Sequence, residues 1–318
     1  MSMLAPTVPT LPPVATDAFA RDLLQTFLNS LASEHSRRAY AQGAQQFFSW
    51  AHAHEPGAAF SRALVLKYRT HMQARGLAAS TINVQLAALR SLAREAAEAD
   101  CLADDVAHAI QAVRGLARRG TRAGNWLTAR QTRTLLAQVD RSTLRGKRDY
   151  ALCALLFGCG LRRGEVANLE VTQIQLRENR WVIADLQGKA GRVRTLPIHE
   201  AVKEAIDDWL NYTDKKQGKV FRRILKNQTV QGQGLSPEAV LQIVQQLSQE
   251  AHLQDEDFPV IKPHDARRTY AKLCRKAGAQ LEEIQQNLGH ASLTTTEKYL
   301  GVELHLQNSI NDKLELFR

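Results

Sequence analysis

Along the first third of the chain, apolar residues recur every three or four positions, with polar and charged residues between them. That period marks helices that bury one face. Asp17 is placed to cap a helix running to about Leu31, with Phe19, Leu23, Leu24, Phe27, Leu28 and Leu31 as its apolar set. Ser33 or Ser36 can cap the next, whose stripe is Tyr40, Ala44, Phe47, Phe48 and Ala51. A third helix is predicted from about Ser61 to Arg75, stopped at Gly76. A fourth starts near Ser80 and carries Ile82, Val84, Leu86, Leu89, Leu92 and Ala93, and a shorter one spans about Asp104 to Val113. Residues 17–113 thus read as a small all-α bundle. Ser36, Arg37, Arg38, Ser80, Thr81 and Asn83 lie at helix starts, where backbone N–H groups favour phosphate. For any one of them, capping or solvation is explanation enough.

The pattern changes in the second half. Thr128 caps a helix through Leu135, Leu136 and Val139, and Lys147 to Phe157 is an apolar, buried helix broken by Gly158 and Gly160. A short helix follows within Leu161-Arg162-Arg163-Gly164-Glu165-Val166-Ala167-Asn168-Leu169. Thr172 to Leu176, Arg180 to Leu186 and Arg192 to Ile198 are rich in β-formers and separated by turn residues. They predict a three-stranded antiparallel meander with Lys189 at a tight turn. Helices return at about Glu200 to Tyr212 and Ser236 to Glu250, with a short element around Val220, Phe221 and Ile224 and a loop over Asn227 to Gly234. Another helix follows Lys262-Pro263. Leu281 to Leu288 is a helix closed by Gly289, and Ser292 or Thr294 starts one that carries Tyr299. The fold class is mainly α with a small antiparallel β-meander, in two domains.

Composition sharpens the partner class. The net charge is +10 and the pI about 9.6, which favours a polyanion such as nucleic acid. No uncharged apolar run is long enough for a membrane span. Met1 to Thr16 is rich in proline, alanine and threonine and is not a secretory signal, so residues 1–16 read as a disordered tail. Arg114 to Gly124 is rich in glycine and arginine and reads as a flexible basic linker. Cys101, Cys153, Cys159 and Cys274 form no C-x-x-C pair, as in reduced thiols of a cytoplasmic protein. There is no H-E-x-x-H, and no Gly-Lys pair is followed by Ser or Thr, so zinc chemistry and nucleotide hydrolysis are not expected.

Candidate chemistry concentrates between Lys262 and Leu300. His264 and Arg267 are three apart and share a helix face, His290 follows the Gly289 break, and Tyr299 lies on the next helix. Such a set can hold a phosphate, move protons and attack phosphorus. Arg162 and Glu165 are also three apart, beside a glycine-rich turn that can fix a guanidinium for bidentate phosphate contact. Taken singly, each residue has an ordinary explanation: a surface ion pair, a solvated hairpin lysine, a capping histidine, a packed tyrosine.

Together, Gly-Leu-Arg162-Arg-Gly-Glu165, Gly188-Lys189, His264-x-x-Arg267, Leu288-Gly289-His290 and Tyr299 occur in an order that closely resembles the tyrosine recombinase (phage integrase) family, Xer/Cre-like. The resemblance covers about residues 17–318. It implies a C-shaped DNA clamp: a helical core-binding (SAM-like) domain over 17–113, a linker over 114–124 and a catalytic domain over 125–300. It implies Tyr299 as nucleophile, forming a 3′-phosphotyrosine and freeing a 5′-hydroxyl. Arg162 and Arg267 would grip the non-bridging oxygens, and Lys189 would protonate the leaving 5′-oxygen. His264 would assist proton transfer from the tyrosine, His290 would support the phosphate and Glu165 would hold Arg162. Arg162 is chosen over Arg163 because it directly follows Gly-Leu. No cofactor or metal is implied.

The implied function is site-specific recombination of duplex DNA through a Holliday junction. The implied partners are DNA with inverted half-sites, a homodimer on each site and a homotetramer in the synapse. Residues 301–318 would contact a neighbouring protomer, and the short N-terminus leaves no room for an arm-binding domain. The alternatives are a type IB topoisomerase-like enzyme and a non-catalytic DNA-binding protein on the same fold.

Overall fold

The computed structural model describes residues 25–31, 34–117, 125–188, 191–213 and 216–300. The proline-rich start, most of the basic linker, Lys189 and the 301–318 segment lie outside them. The chain divides into two compact units, Met1–Thr121 and Arg122–Arg318.

In the N-terminal unit, α1 is described over residues 25–29 and is followed by α2 (Glu34–His54), α3 (Arg62–Ala74), α4 (Ala79–Glu98) and α5 (Asp104–Gln111). The predicted stripes are the buried ones: Phe47, Leu64, Val65, Ile82, Leu86, Leu89 and Ile110 meet in one core. Phe47 is its hub, with edge-on rings of Phe48 and Tyr68 at 5.2 Å and Phe60 at 5.5 Å. Ser61 caps α3 by accepting from Leu64 N, and Gly76 takes the left-handed backbone that ends it, φ +71°.

Two expectations change here. The start of the linker is held rather than loose. Asn83 donates to Leu116 O at 2.9 Å and accepts from Leu116 N at 2.7 Å, and Arg69 donates to Arg114 O at 3.0 Å. Leu116 packs on the N-terminal core, an apolar anchor hidden among glycines and arginines. Asn83 therefore has its amide committed to backbone, and Arg37 and Arg38 are committed to Leu31 O and Glu34.

The second unit opens with Thr128, which caps α6 (Ala129–Ala137) in a reciprocal box with Gln131. The apolar helix is longer than its sequence suggests. As α7 it runs Leu144–Cys159, capped by Thr143, with Gly158 inside it. A Cβ on Gly158 would lie 2.7 Å from Cγ2 of Val202, so this glycine allows close packing by α9 (Glu200–Thr213) rather than breaking the helix. Gly160 alone ends α7.

After α8 (Arg163–Asn168) and a single 3₁₀ turn come β1 (Ile174–Arg177), β2 (Arg180–Gln187) and β3 (Val193–Pro197). They form the expected antiparallel sheet in the order β1-β2-β3. Ile183 pairs with both Ile174 and Leu196. Beyond it the register shifts, with Asp185 left-handed at φ +51°, so Leu186 stands opposite Arg194.

The stretch read as a loop contains a strand. β5 (Val230–Gly234) pairs with β4 (Arg222–Ile224). Its Gln-Gly-Gln-Gly run has no apolar alternation; backbone pairing makes the strand, and Gly234 admits Lys219, whose Cγ would lie 2.8 Å from a Cβ. Among the described residues four further helices follow: α10 (Pro237–Gln254), α11 (Pro263–Lys276), α12 (Leu281–Leu288) and α13 (Leu293–Leu300).

α7 is the axis of the larger core, surrounded by Val166, Ile183, Ile206, Trp209, Phe221, Val244 and Phe258. Trp209 is fully buried, and its indole N–H donates to Val220 O at 2.8 Å. Trp209→Ala leaves a large cavity and an unpaired carbonyl, and about 3–5 kcal/mol of stability should be lost on urea denaturation. A loss below ~1 kcal/mol would show that α9 is not held by this side chain.

Candidate active site

Gly160 closes α7 in left-handed backbone at φ +62°, and a Cβ there would sit 2.4 Å from Cδ1 of Tyr270. Glycine is required for conformation and for space. The turn places Arg162 at the N-cap of α8 and Glu165 three residues later, inside its first turn.

Glu165 is only 7% exposed, and its carboxylate collects the surrounding charge. Oε1 accepts from Arg162 Nη1 at 2.7 Å and Arg194 Nη1 at 3.0 Å. Oε2 accepts from the Arg162 backbone N–H at 2.9 Å and Arg194 Nη2 at 3.0 Å. Arg267 Nη1 stands 3.9 Å from Oε2. Burial pushes this carboxyl up, but the Arg194 and Arg162 hydrogen bonds and charges outweigh it and hold it below the ordinary range.

The arginines differ in how far they are committed. Arg267, on α11, is 1% exposed; it donates to Gly160 O at 2.6 Å and to Leu288 O. Burial, with the Arg162 charge next, lowers it to about 10. Arg194 has all three nitrogens engaged, two on Glu165 and Nε on Asn287 O at 3.0 Å. Arg162 has a side chain 32% exposed and a long 3.4 Å contact to Gly289 O. Of the three, Arg162 is the most open to an incoming anion.

Gly289 ends α12 left-handed at φ +61°, and His290 follows. The imidazole Nδ1 lies 3.0 Å from Oγ1 of buried Thr296. Tyr299 stands between two imidazoles: the His264 and His290 rings are each 5.2 Å from its ring, both edge-on. Its hydroxyl donates to the His264 carbonyl at 3.0 Å, and the Arg268 guanidinium lies 5.1 Å over its ring. Burial raises the phenol to about 12, against the pull of Arg267 and Arg268. Burial lowers His290 to about 4, with Arg267 and Arg162 adding to the effect. His264 is lowered by burial and by Arg268 and Arg267. Both imidazoles are neutral near pH 7 and able to accept a proton.

Six of the seven residues singled out in the sequence thus converge: Arg162, Glu165, His264, Arg267, His290 and Tyr299. The seventh, Lys189, lies outside the described residues, in the connection between the paired ends Gln187 and Val193. Sequence reasoning missed Arg194. The available signal was its place in β3, where it alternates with Leu196 and Ile198 on the buried face. Thr296, one turn before Tyr299, was also missed.

The phage integrase family model matches residues 125–304, and the N-terminal SAM-like domain of phage integrases matches residues 20–100. The chain belongs to the phage integrase family. A tyrosine recombinase of Synechococcus elongatus is 29% identical over 308 residues, covering 92% of both chains. The tyrosine recombinase XerC of Pelobacter propionicus is 32% identical over 169 residues, 53% of this chain and 52% of that one. Among solved structures, the XerH site-specific recombinase bound to a palindromic difH substrate, in a post-cleavage complex, has a similar fold. Its TM-score is 0.67 at 18% identity, covering 91% of this chain and 82% of that one.

The depressed imidazoles make stability depend on pH. Unfolded, His290 takes its proton near the ordinary value of 6.5; folded, only near about 4. The unfolded state binds more protons in between, so stability falls as pH drops from about 6.5 towards 4, and His264 adds to the loss. Glu165 contributes with the same sign only below its ordinary 4.5. The urea midpoint should therefore fall between pH 7 and pH 5, and His290→Gln should fall less. An equal fall in both proteins would contradict the assignment.

Proposed function

We propose that this chain is a site-specific tyrosine recombinase that cleaves and rejoins duplex DNA through a 3′-phosphotyrosine. The observation that carries the reading is the convergence on one place of Arg162, Arg267, His264, His290 and the Tyr299 hydroxyl from separate elements of the chain. An enzyme is favoured over a passive DNA binder because a half-buried phenol between two neutral imidazoles is set for proton transfer, which binding does not need.

The Tyr299 oxygen gives up its contact with the His264 carbonyl and attacks phosphorus. Its proton passes to a neutral imidazole, that of His264 in this reading. The bond from phosphorus to the 5′-oxygen breaks, and Lys189 supplies that oxygen with a proton. Arg162 and Arg267 stabilise the charge that builds on the non-bridging oxygens. His290, fixed by Thr296, supports the phosphate, and Glu165 orients Arg162. The phosphate ester is conserved, so a 5′-hydroxyl from another strand reverses the step without ATP. Two rounds of strand exchange pass through a Holliday junction.

In the same proposal, residues 17–113 hold the core DNA, 114–124 connect, 125–300 catalyse and 301–318 reach a neighbouring protomer. A dimer occupies each pair of inverted half-sites and a tetramer forms the synapse. The location is cytoplasmic, on nucleoid DNA. Free thiols at Cys101, Cys153, Cys159 and Cys274 suit that compartment, and among the described residues no helix is long and apolar enough to cross a membrane.

The test uses a duplex recovered by wild-type binding from a randomised pool, nicked so that cleavage becomes irreversible. A covalent protein–DNA band should form with the wild type and vanish with Tyr299→Phe. Arg162→Ala should slow its formation by roughly 10²–10³-fold. A band that survives Tyr299→Phe rejects the nucleophile, and no band with any recovered duplex favours the binder. Joining two different duplexes separates recombination from strand relaxation alone.

A further inference from the structure

Arg194 has no role in the chemistry above, yet all three of its guanidinium nitrogens are hydrogen-bonded beside the site. Its side chain is 10% exposed, and each of its three nitrogens makes a hydrogen bond of 3.0 Å. Two go to the carboxylate that holds Arg162, and one to Asn287 O, three residues before His290. Glycines face it on both sides. A Cβ at Gly289 would come within 3.1 Å of Nη1, and one at Gly188 within 3.4 Å. Arg194 also sits in β3, directly after the connection that contains Lys189. Asn287 is braced in turn: its side-chain amide donates to the Tyr270 hydroxyl at 3.2 Å, and Tyr270 packs against Gly160 at the start of the arginine turn.

We propose that Arg194 is a positioning residue for the cleavage step. It fixes the Glu165 carboxylate in the orientation that aims Arg162 at the scissile phosphate, and it ties that carboxylate to the turn presenting His290. Three of its five N–H donors are taken by protein and its side chain is only 10% exposed, so it acts in this proposal through Glu165 rather than on the phosphate. A planar fork is needed to hold both carboxylate oxygens and a carbonyl at once, so lysine cannot replace it. Glu165 without Arg194 retains the Arg162 bonds but loses its second pair, and the Arg162 guanidinium gains freedom. A displacement of about 1 Å at a reacting centre is enough for ~10²-fold in rate.

The inference rests on the recombinase reading, and the experiment keeps the two apart. Wild type, Arg194→Lys and Arg194→Met are compared on the nicked selected duplex, first with an ordinary phosphodiester and then with a methylphosphonate at the cleaved position. Site affinity and Tm are measured on the same proteins. A methylphosphonate lacks one anionic oxygen, so an aimed guanidinium matters less to it. The expected result is a roughly 10–100-fold slower single-turnover cleavage of the phosphodiester by both variants. Affinity should stay at the wild-type value, Tm should fall because a buried carboxylate loses a partner while both variants stay folded at the assay temperature, and the gap on the methylphosphonate should narrow to within about threefold. Cleavage by Arg194→Lys at the wild-type rate overturns the inference. So does a gap that persists on the methylphosphonate, or a loss that merely follows site affinity. Failure of the wild type itself to form the covalent band rejects the recombinase reading instead.

Discussion

A buried carboxylate organises this structure. Glu165 binds Arg162 and Arg194 through four hydrogen bonds and lies near Arg267. Three guanidiniums of like charge would not gather in a protein interior unaided, because desolvation and mutual repulsion both oppose it. One ionised carboxyl makes the cluster tolerable, with the backbone carbonyls of Gly160 and Leu288 taking further donors from Arg267. The cluster retains net positive charge. It is therefore a place where an anion such as a phosphodiester gains much and an uncharged group gains little.

The rest of the second unit serves that arrangement. α7 is an apolar rod whose end at Gly160 sets the arginine turn, and Tyr270 fills the space that only a glycine leaves. α11 delivers His264 and Arg267 from one face, and the α12 break delivers His290. α13 brings Tyr299 to both imidazoles. Burial then does two opposite things. It raises the phenol, which keeps it protonated near pH 7, and it lowers the imidazoles, which leaves them able to accept a proton. The phenol and the imidazoles are thus moved in opposite directions by the same partial burial.

Most elements were legible in the sequence because their stripes face one core. The helical stripe of Ile82, Leu86 and Leu89 and the hairpin pairing of Ile183 with Leu196 are local patterns with long-range consequences. The six site residues were legible as an ordered set resembling a family rather than from any one position. What escaped depends on partners distant in the chain. Arg194 meets Glu165 across 29 positions and Asn287 across 93. Gly158 is explained only by Val202 on another helix, and β5 only by its pairing with β4. The linker start read as loose because the Asn83 side chain that holds Leu116 lies 33 residues upstream.

The central claim is that Tyr299 is the atom donor to phosphorus, set between His264 and His290 before a guanidinium clamp. Mass spectrometry of the protease-digested covalent product tests it directly. The account predicts a nucleotide remnant on the peptide containing Tyr299, esterified through the phenolic oxygen. A remnant on another side chain, the neighbouring half-buried Tyr270 included, would contradict it.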